Sequence, residues 1–121
     1  MLGVIVFAHG SRDPMWRTPV EAVARRIAAQ DAQVPVSCAY LELCEPDLNT
    51  ACQTLIDQGV TRVRILPLFF GMGKHAREDL PELVQALEAQ HPSVVFERLA
   101  AAGEDPRLTE LLARIALEAT P

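Results

Sequence analysis

Short apolar runs alternate with segments of helical periodicity along the whole chain. Residues 3–8 form a continuous apolar run rich in β-branched side chains, which is typical of a strand buried on both faces. Similar runs predict three further strands at about 34–41, 62–68 and 94–99. After each run, apolar residues recur every three or four positions, which predicts a helix behind each strand.

Turn-forming residues predict where the helices begin and end. Pro46 is expected to open the second helix, and Gly59 stands where that helix should stop. We expect the third helix to start near 79–81, so that residues 71–75 form a glycine-rich loop before it. The Asp-Pro pair at 105–106 predicts the start of the last helix.

Four strand–helix units in 121 residues predict one α/β domain over residues 1–121. Strict alternation implies a parallel four-stranded sheet with helices on both faces, and right-handed crossovers restrict its topology. We expect a doubly wound order of 2-1-3-4, in which the winding reverses between strands 1 and 3. Ligands of such sheets bind at the carboxyl ends of the strands, near this reversal.

Three chemically competent side chains follow three of the predicted strands at that edge. They are His9, Glu42 and His75. Two imidazoles and one carboxylate suit divalent cations such as Fe²⁺, Co²⁺, Ni²⁺ or Zn²⁺, and they also accept protons near neutral pH. Each residue alone has a simpler explanation, as a loop hydrogen-bonding group or a solvated side chain. Their occurrence together at three strand ends favours a metal site.

Positive charge is concentrated in the same loops of an otherwise acidic chain. Arg12, Lys74 and Arg77 lie there, beside the amino ends of the predicted helices. This arrangement favours an anionic substrate that meets a cation; a solvated rim is the alternative. Gly71 and Gly73 fit either a turn or a flexible cover over the site. We expect substrate contacts from both loops, at Ser11, Arg12, Gly71, Gly73, Lys74 and Arg77.

Composition argues against several other classes of function. A net charge of −5 and an aromatic content of 5% argue against a nucleic-acid partner. No apolar run reaches the length of a membrane span, no basic leader opens the chain, and the three cysteines form no Cys-x-x-Cys pair. We therefore expect a cytoplasmic protein with reduced thiols and no membrane partner. No Walker loop and no Gly-x-Gly-x-x-Gly follows the first strand, so no nucleotide is expected.

Three segments in register with the predicted strands carry a family resemblance. They are Ala8-His9-Gly10-Ser11-Arg12-Asp13-Pro14, then Tyr40-Leu41-Glu42-Leu43 with Pro46-Asp47-Leu48, and finally residues 67–75 followed by Asp79-Leu80-Pro81. Taken together, they make the chain resemble the small CbiX/SirB-type sirohydrochlorin chelatases over essentially its whole length.

The resemblance implies insertion of Co²⁺, Fe²⁺ or Ni²⁺ into sirohydrochlorin or a close precursor, for cobalamin or sirohaem biosynthesis. His9 and His75 match the family's metal-handling positions, and Glu42 matches its acidic residue. The chain ends without the Cys-rich or His-rich tail of some longer members, so no iron–sulfur cluster is expected. Larger chelatases of this superfamily have two such lobes facing one cleft. A one-lobed chain is therefore expected to form a homodimer around the tetrapyrrole.

Two other functions stay open on the sequence. One is a metal or tetrapyrrole carrier of the same fold, which would bind its ligand stoichiometrically without turnover. The other is histidine-dependent phosphoryl transfer, because a His-Gly pair follows the first strand. The Arg-His-Gly order of a histidine phosphatase is missing, since Ala8 precedes His9.

Overall fold

All four predicted strands and all four predicted helices are present in the structure, a computed structural model that describes residues 1–118. The strands are β1 (Leu2–Ala8), β2 (Val36–Tyr40), β3 (Arg62–Pro67) and β4 (Val95–Arg98). The helices are α1 (Thr18–Gln30), α2 (Leu48–Asp57), α3 (Lys74–Gln90) and α4 (Pro106–Glu118). Two short 3-10 helices, Pro14–Arg17 and Ala102–Glu104, precede α1 and α4. The last three residues of the predicted domain, 119–121, lie outside the described residues.

The four strands form one parallel sheet in the order β2-β1-β3-β4. The predicted doubly wound order is therefore confirmed. At the carboxyl end of β1, Ala8 lies opposite Tyr40 of β2, and Phe7 lies opposite Pro67 of β3. In this register the three strands end nearly level, so the segments that follow them meet at one edge.

Apolar side chains cover the central strand on both faces of the sheet. Helices α2 and α3 pack on one face, where Ile5 and Phe7 are buried. Helix α1 packs on the other face, where Val6 and Tyr40 are buried. Because all of residues 3–8 are buried, the prediction of a strand covered on both faces is confirmed.

The third helix begins earlier than the sequence predicts. Helix α3 starts at Lys74 with Gly73 at its N-cap, and Pro81 lies inside it. A proline removes the hydrogen bond to the carbonyl four residues before it, here that of Arg77. The helix continues through this position, and Arg77, whose carbonyl lacks that bond, is an exposed residue. Consequently Lys74, His75 and Arg77 lie on the first turn of a helix rather than in a loop, and the glycine-rich loop is shorter than predicted.

Helix α4 differs from the other three helices because none of its described residues is buried. The predicted apolar stripe is present, with Leu111 and Leu112 among its members, but both side chains remain exposed. Periodicity correctly indicated an amphipathic helix. The surface that would cover its apolar face is not provided by the described part of the chain.

The three cysteines are separate thiols, since Cys38, Cys44 and Cys52 are all free. Cys52 of α2 is fully buried, and this burial raises the pKa of its thiol to about 12. Among residues 1–118, no helix combines the length and the apolar character needed to cross a membrane.

Asp47 offers a test of the local signals that build the fold. Its carboxylate accepts a hydrogen bond from the backbone N–H of Thr50 at 2.8 Å, which caps α2 and lowers the pKa of Asp47. We expect Asp47→Ala to lower the free energy of unfolding by about 1 kcal/mol at pH 7. Asp47→Asn should cost less, because the amide oxygen still accepts the bond.

The pH dependence of this effect follows from the lowered pKa. The ionised cap stabilises the protein above about pH 4, and its contribution is lost as the pH falls through the folded-state pKa. The difference between the wild type and Asp47→Asn should therefore shrink at pH 3. Urea denaturation of the three proteins at both pH values measures this, and equal stability of the wild type and Asp47→Ala at pH 7 would contradict the capping role.

Candidate functional site

The carboxyl edge of the sheet carries His9 directly after β1 and Glu42 shortly after β2. The pairing of these strands continues past their ends. The Leu41 N–H donates to the Ala8 carbonyl at 2.9 Å, and the Glu42 N–H donates to the His9 carbonyl at 3.0 Å. Two backbone hydrogen bonds thus hold His9 and Glu42 in a fixed register.

The side chains of His9 and Glu42 are in direct contact. His9 Nε2 lies 3.2 Å from Glu42 Oε1, and the two side chains are 51% and 56% exposed. His9 Nδ1 lies 3.2 Å from the carbonyl oxygen of Gly10. Because a carbonyl only accepts, this contact is a hydrogen bond when Nδ1 carries the proton. Nε2 then faces the carboxylate as a second acceptor, and either a proton or a metal cation completes the pair.

Gly10 makes the close approach of the two loops possible. Its φ of +105° lies in the region that L side chains rarely adopt. A Cβ at this position would stand 1.7 Å from the carbonyl oxygen of Glu42. Both the conformation and the available space therefore require glycine. The sequence places Gly10 in the first loop but does not show why it is needed, because its contact comes from another loop.

Two residues beside Glu42 shape its loop: Leu43, which has an uncommon backbone conformation, and Tyr40, which is buried. Leu43 has a φ of 70°, which is uncommon for a bulky side chain. Tyr40 is 3% exposed, and its ring centroid lies 6.1 Å from that of Trp16. Burial raises the pKa of Tyr40 to about 12. Tyr40 therefore stays protonated at neutral pH and supports the loop by packing rather than by accepting protons.

His75 lies apart from the His9–Glu42 pair. It is the second residue of α3, and it is exposed. Among residues 1–118, no group of three or more His, Cys, Asp or Glu side chains is arranged to hold one metal ion. The structure thus brings His9 and Glu42 together, and it does not gather His75 into one ligand cluster with them.

The predicted cations are all exposed near the amino ends of helices. Arg12 lies in the loop after β1, and Lys74 and Arg77 lie on the first turn of α3. Within residues 1–118, none of the three forms an ion pair. Ser11 has a local partner instead, because its Oγ accepts a hydrogen bond from the backbone N–H of Asp13 at 3.0 Å. Ser11 therefore shapes the first loop.

Gly71 and Gly73 lie in open space before α3. An added Cβ would meet no atom within 4 Å at either position. Gly73 has a φ of −64°, which any residue adopts. Crowding therefore requires glycine at neither position, and both the turn and the flexible cover remain compatible with this segment.

The residues predicted to form the site do not include Phe70, although its aromatic side chain is exposed at this edge. Phe70 follows β3 and is 77% exposed. The Gly103 N–H donates to the Phe69 carbonyl at 2.9 Å, and a Cβ at Gly103 would lie 1.6 Å from the carbonyl oxygen of Phe70. This contact holds the Phe70 backbone while its ring faces solvent, as a flat apolar ligand would require. The available signal was the Phe-Phe pair at a strand end, where only Phe69 packs against the core.

These features define the class of protein. It is a single-lobed α/β domain that presents an imidazole–carboxylate pair at its strand ends, with exposed cations in the neighbouring loops. The chain belongs to the CbiX family, whose model matches residues 3–119.

Individual relatives match this chain over different lengths. The sirohydrochlorin cobaltochelatase of Methanopyrus kandleri is 31% identical over 84 residues, which cover 69% of this chain and 59% of that protein. The sirohydrochlorin ferrochelatase of Priestia megaterium is 30% identical over 113 residues, which cover 93% of this chain and 42% of that protein. The crystal structure of a CbiX protein from Marinobacter aquaeolei VT8 superposes with a TM-score of 0.86 at 32% identity, covering 98% and 96% of the two chains. The chain thus spans less than two thirds of the length of the two chelatases it matches.

The contact between the two loops can be tested with a pair of glycine variants. We expect Gly10→Ala to lower the free energy of unfolding by about 3 kcal/mol, since it adds both backbone strain and a clash with Glu42. Gly59→Ala is the matched control, because Gly59 has a similar φ of +98° but no atom within 4 Å of an added Cβ. That variant should cost about 1 kcal/mol. Chemical denaturation measures both, and a Gly10→Ala variant as stable as Gly59→Ala would contradict the close contact.

Proposed function

We propose that the protein is a metal chelatase that inserts a divalent cation into sirohydrochlorin or a closely related tetrapyrrole. The observation that carries this proposal is the contact of His9 Nε2 with Glu42 Oε1 at 3.2 Å on an exposed strand edge. Such a pair can take a metal from solution and release it again. Membership of the CbiX family and the activities named for the two related chelatases support the tetrapyrrole as the substrate.

The spacing of the pair suits coordination of a transition metal. Nitrogen and oxygen ligands lie about 2.1 Å from such an ion, and two ligands 3.2 Å apart subtend about 100° at the metal. This angle is close to that between neighbouring ligands in common coordination geometries. The spacing of His9 and Glu42 therefore suits binding of one ion and leaves other positions open for the ring nitrogens.

Metal insertion exchanges one divalent cation for two pyrrole protons. The cation forms bonds to the ring nitrogens while two N–H bonds break, so two protons need acceptors. As the metal leaves the pair, the Nε2 lone pair of His9 and the carboxylate of Glu42 become available to accept them. Release of the metal and acceptance of the protons are in this way coupled at the same atoms.

We assign His75 to a second position on the path of the metal. Its exposed imidazole follows the glycine-rich loop, where Gly71 and Gly73 have open space around them. Movement of that loop together with the first turn of α3 would bring the imidazole towards an ion held by the first pair. A ligand set that is completed only transiently suits a metal that has to leave the protein.

The cations at the edge are the groups we expect to bind the carboxylates of the tetrapyrrole. Arg12, Lys74 and Arg77 are exposed there without ion-pair partners in the described chain. The amino end of α3 adds backbone N–H groups of the same polarity. Phe70 offers an exposed ring to the apolar face of the macrocycle. Ser11 contributes by shaping the loop that carries Arg12.

The ligand types restrict the choice of metal but do not select a single ion. Co²⁺, Fe²⁺ and Ni²⁺ all suit imidazole and carboxylate ligands, and supply in the cell often decides among them. The cobaltochelatase and ferrochelatase relatives support the first two. The free thiols support a reducing compartment, and we place the protein in the cytoplasm.

We further propose that the working unit is a homodimer. One lobe presents its candidate site on an open edge, and a tetrapyrrole is too broad for that edge alone to enclose. The chain also spans only 42% of the related ferrochelatase, so two copies have about the length of that single chain. A two-fold arrangement would place two lobes around one substrate.

The chelatase assay separates the residues of the pair from an unrelated histidine. We expect His9→Ala to slow Co²⁺ insertion into sirohydrochlorin about 100-fold, because the ion loses its nitrogen ligand, and Glu42→Gln and His75→Ala to slow it about tenfold. The change in the visible spectrum measures the rate. His91→Ala is the matched control, since His91 lies at the opposite end of α3 from His75, and it should retain the full rate.

Several outcomes would contradict the proposed activity. No acceleration over the metal alone, with Co²⁺, Fe²⁺ or Ni²⁺, would exclude a chelatase of these metals. Stoichiometric binding of sirohydrochlorin or metal without turnover would identify a carrier instead. Full rates in both His9→Ala and His75→Ala would show that the site lies elsewhere.

If the cations bind the substrate carboxylates, their removal should change KM rather than the rate of metal insertion. Lys74→Ala and Arg77→Ala should each raise the KM for sirohydrochlorin about fivefold to tenfold, corresponding to about 1 kcal/mol or slightly more, with kcat little changed. Arg26→Ala is the control, because Arg26 is an exposed cation of α1, away from the loops of the edge. Steady-state kinetics at two salt concentrations measure the effect, and an equal KM in all four proteins would contradict the assignment.

A further inference from the structure

The apolar stripe of α4 has no partner in the described chain. Its members recur at helical spacing on one face of the helix, and they are Leu108, Leu111, Leu112 and Ile115. The last three are 46%, 39% and 57% exposed. Among the elements of the fold, α4 contacts mainly the short helix that precedes it. Such a stripe is typical of a helix that packs on a core.

Part of the sheet surface, over β3 and β4, also lacks a covering helix within residues 1–118. Helix α1 covers β1 and β2 on one face, while α2 and α3 cover the opposite face. Val63 and Ile65 of β3 point towards α2 and α3, so the alternate residues of β3 and β4 share the face of α1. Val95 on this surface is 57% exposed. We refer to the surface as the open sheet face; it consists of Arg62, Arg64, Leu66, Val95, Glu97 and Leu99.

The open sheet face matches α4 in length and in charge. A helix of 13 residues is about 20 Å long, and a strand of six residues has about the same length. Arg62 and Arg64 both pair with Glu97, which leaves one positive charge in excess on this face. Glu118 continues the stripe at the carboxyl end of α4. In a helix that runs antiparallel to the strands, Glu118 reaches the end of β3 where Arg62 lies.

The start of α4 is anchored at the carboxyl edge of its own sheet. Ala101 is buried, and Gly103 is held against the backbone of Phe70. The Asp105 carboxylate accepts hydrogen bonds from the backbone and the guanidinium of Arg107, at 2.8 and 2.6 Å. Anchored in this way, α4 does not cover the open sheet face of its own chain. A second copy of the chain has both the matching helix and the matching face.

We propose that two copies of the protein exchange α4, each helix packing its apolar stripe on the open sheet face of the other. The contact is reciprocal and has two-fold symmetry, so every stripe and every open face is covered. This inference deepens the homodimer proposed above and rests on it. α4 starts beside the edge that carries His9 and Glu42, and it is about 20 Å long. The exchanged helix therefore holds the second copy of the chain within about one helix length of that edge.

Cross-linking between separately mutated chains tests the exchange directly. In a Cys38→Ala, Cys44→Ala background, the remaining Cys52 is buried and protonated. Val95→Cys and Ile115→Cys are introduced into separate, differently tagged chains, which are then co-expressed and oxidised. We expect a covalent heterodimer at least fivefold more abundant than the cross-linked product of either chain alone.

Leu117→Cys is the matched control for the cross-link. Leu117 is 87% exposed and lies off the stripe, so its cysteine should link to Val95→Cys at least fivefold less than Ile115→Cys does. A double variant that carries both Val95→Cys and Ile115→Cys in one chain should also give covalent dimers. A disulfide formed within that single chain would overturn the exchange, because α4 would then cover its own sheet.

Sedimentation separates failure of the exchange from failure of the homodimer. We expect the wild-type protein to have twice the mass of the chain, and Ile115→Glu to raise the dimer Kd at least tenfold. Leu117→Glu should change it less than twofold. A wild-type dimer that tolerates Ile115→Glu and gives no cross-link would overturn the exchange alone. A monomeric wild type with full chelatase activity would overturn both the exchange and the homodimer while supporting the proposed activity.

Discussion

The strand β1 is hydrogen-bonded along both edges and covered by apolar side chains on both faces. Its backbone groups have no access to water, so their hydrogen bonds to β2 and β3 have to form in one register. A shift of one residue would turn every buried side chain of the strand to the wrong face. The same register carries His9 past the end of the strand to the level of Glu42. The packing of the core therefore positions the two side chains that we assign to the metal.

The exposure of this pair is consistent with a metal that is a substrate. A buried imidazole and carboxylate would bind a cation in a medium of low dielectric constant, where the attraction is strong and release is slow. Half-exposed side chains bind more weakly and exchange more readily with solvent. The rigid part of the site is the backbone beneath His9 and Glu42, where the glycine contact leaves no room for a side chain. In the proposed reaction, the rigid backbone would position the metal and the weak ligand set would allow its release.

The fold was largely predictable because its signals are local. The elements were predicted from the apolar run at residues 3–8 and from the alternation of strands with helical stripes. The preference for right-handed crossovers then restricted the order of the strands. The pairing of His9 with Glu42 was also predictable, since strand ends of a parallel sheet meet at one edge. The contact of Gly10 was not predictable from the sequence. The carbonyl that a Cβ at this position would clash with belongs to a residue 32 positions later.

Two elements, α3 and α4, show what local sequence signals do not predict. Pro81 suggests a helix start, yet the helix begins at Lys74 and continues through Pro81 despite the missing N–H. The position of that start decides whether His75 belongs to a loop or to a helical turn. In α4, periodicity identifies an apolar face but contains no information about which surface covers it. That information lies in the open sheet face, which only the folded chain reveals.

The pairing of Arg62 and Arg64 with Glu97 has a consequence for the edge of the sheet. β4 is a four-residue strand at the edge of the sheet, and such edges readily recruit strands from other molecules. The three charges lie across β3 and β4 on the open sheet face, which no helix of residues 1–118 covers. Charged side chains on the face of a sheet disfavour contact with an apolar surface of another molecule, because the charges would lose their hydration. Glu97 thus links the edge strand β4 to β3 through its side chain as well as through the backbone hydrogen bonds.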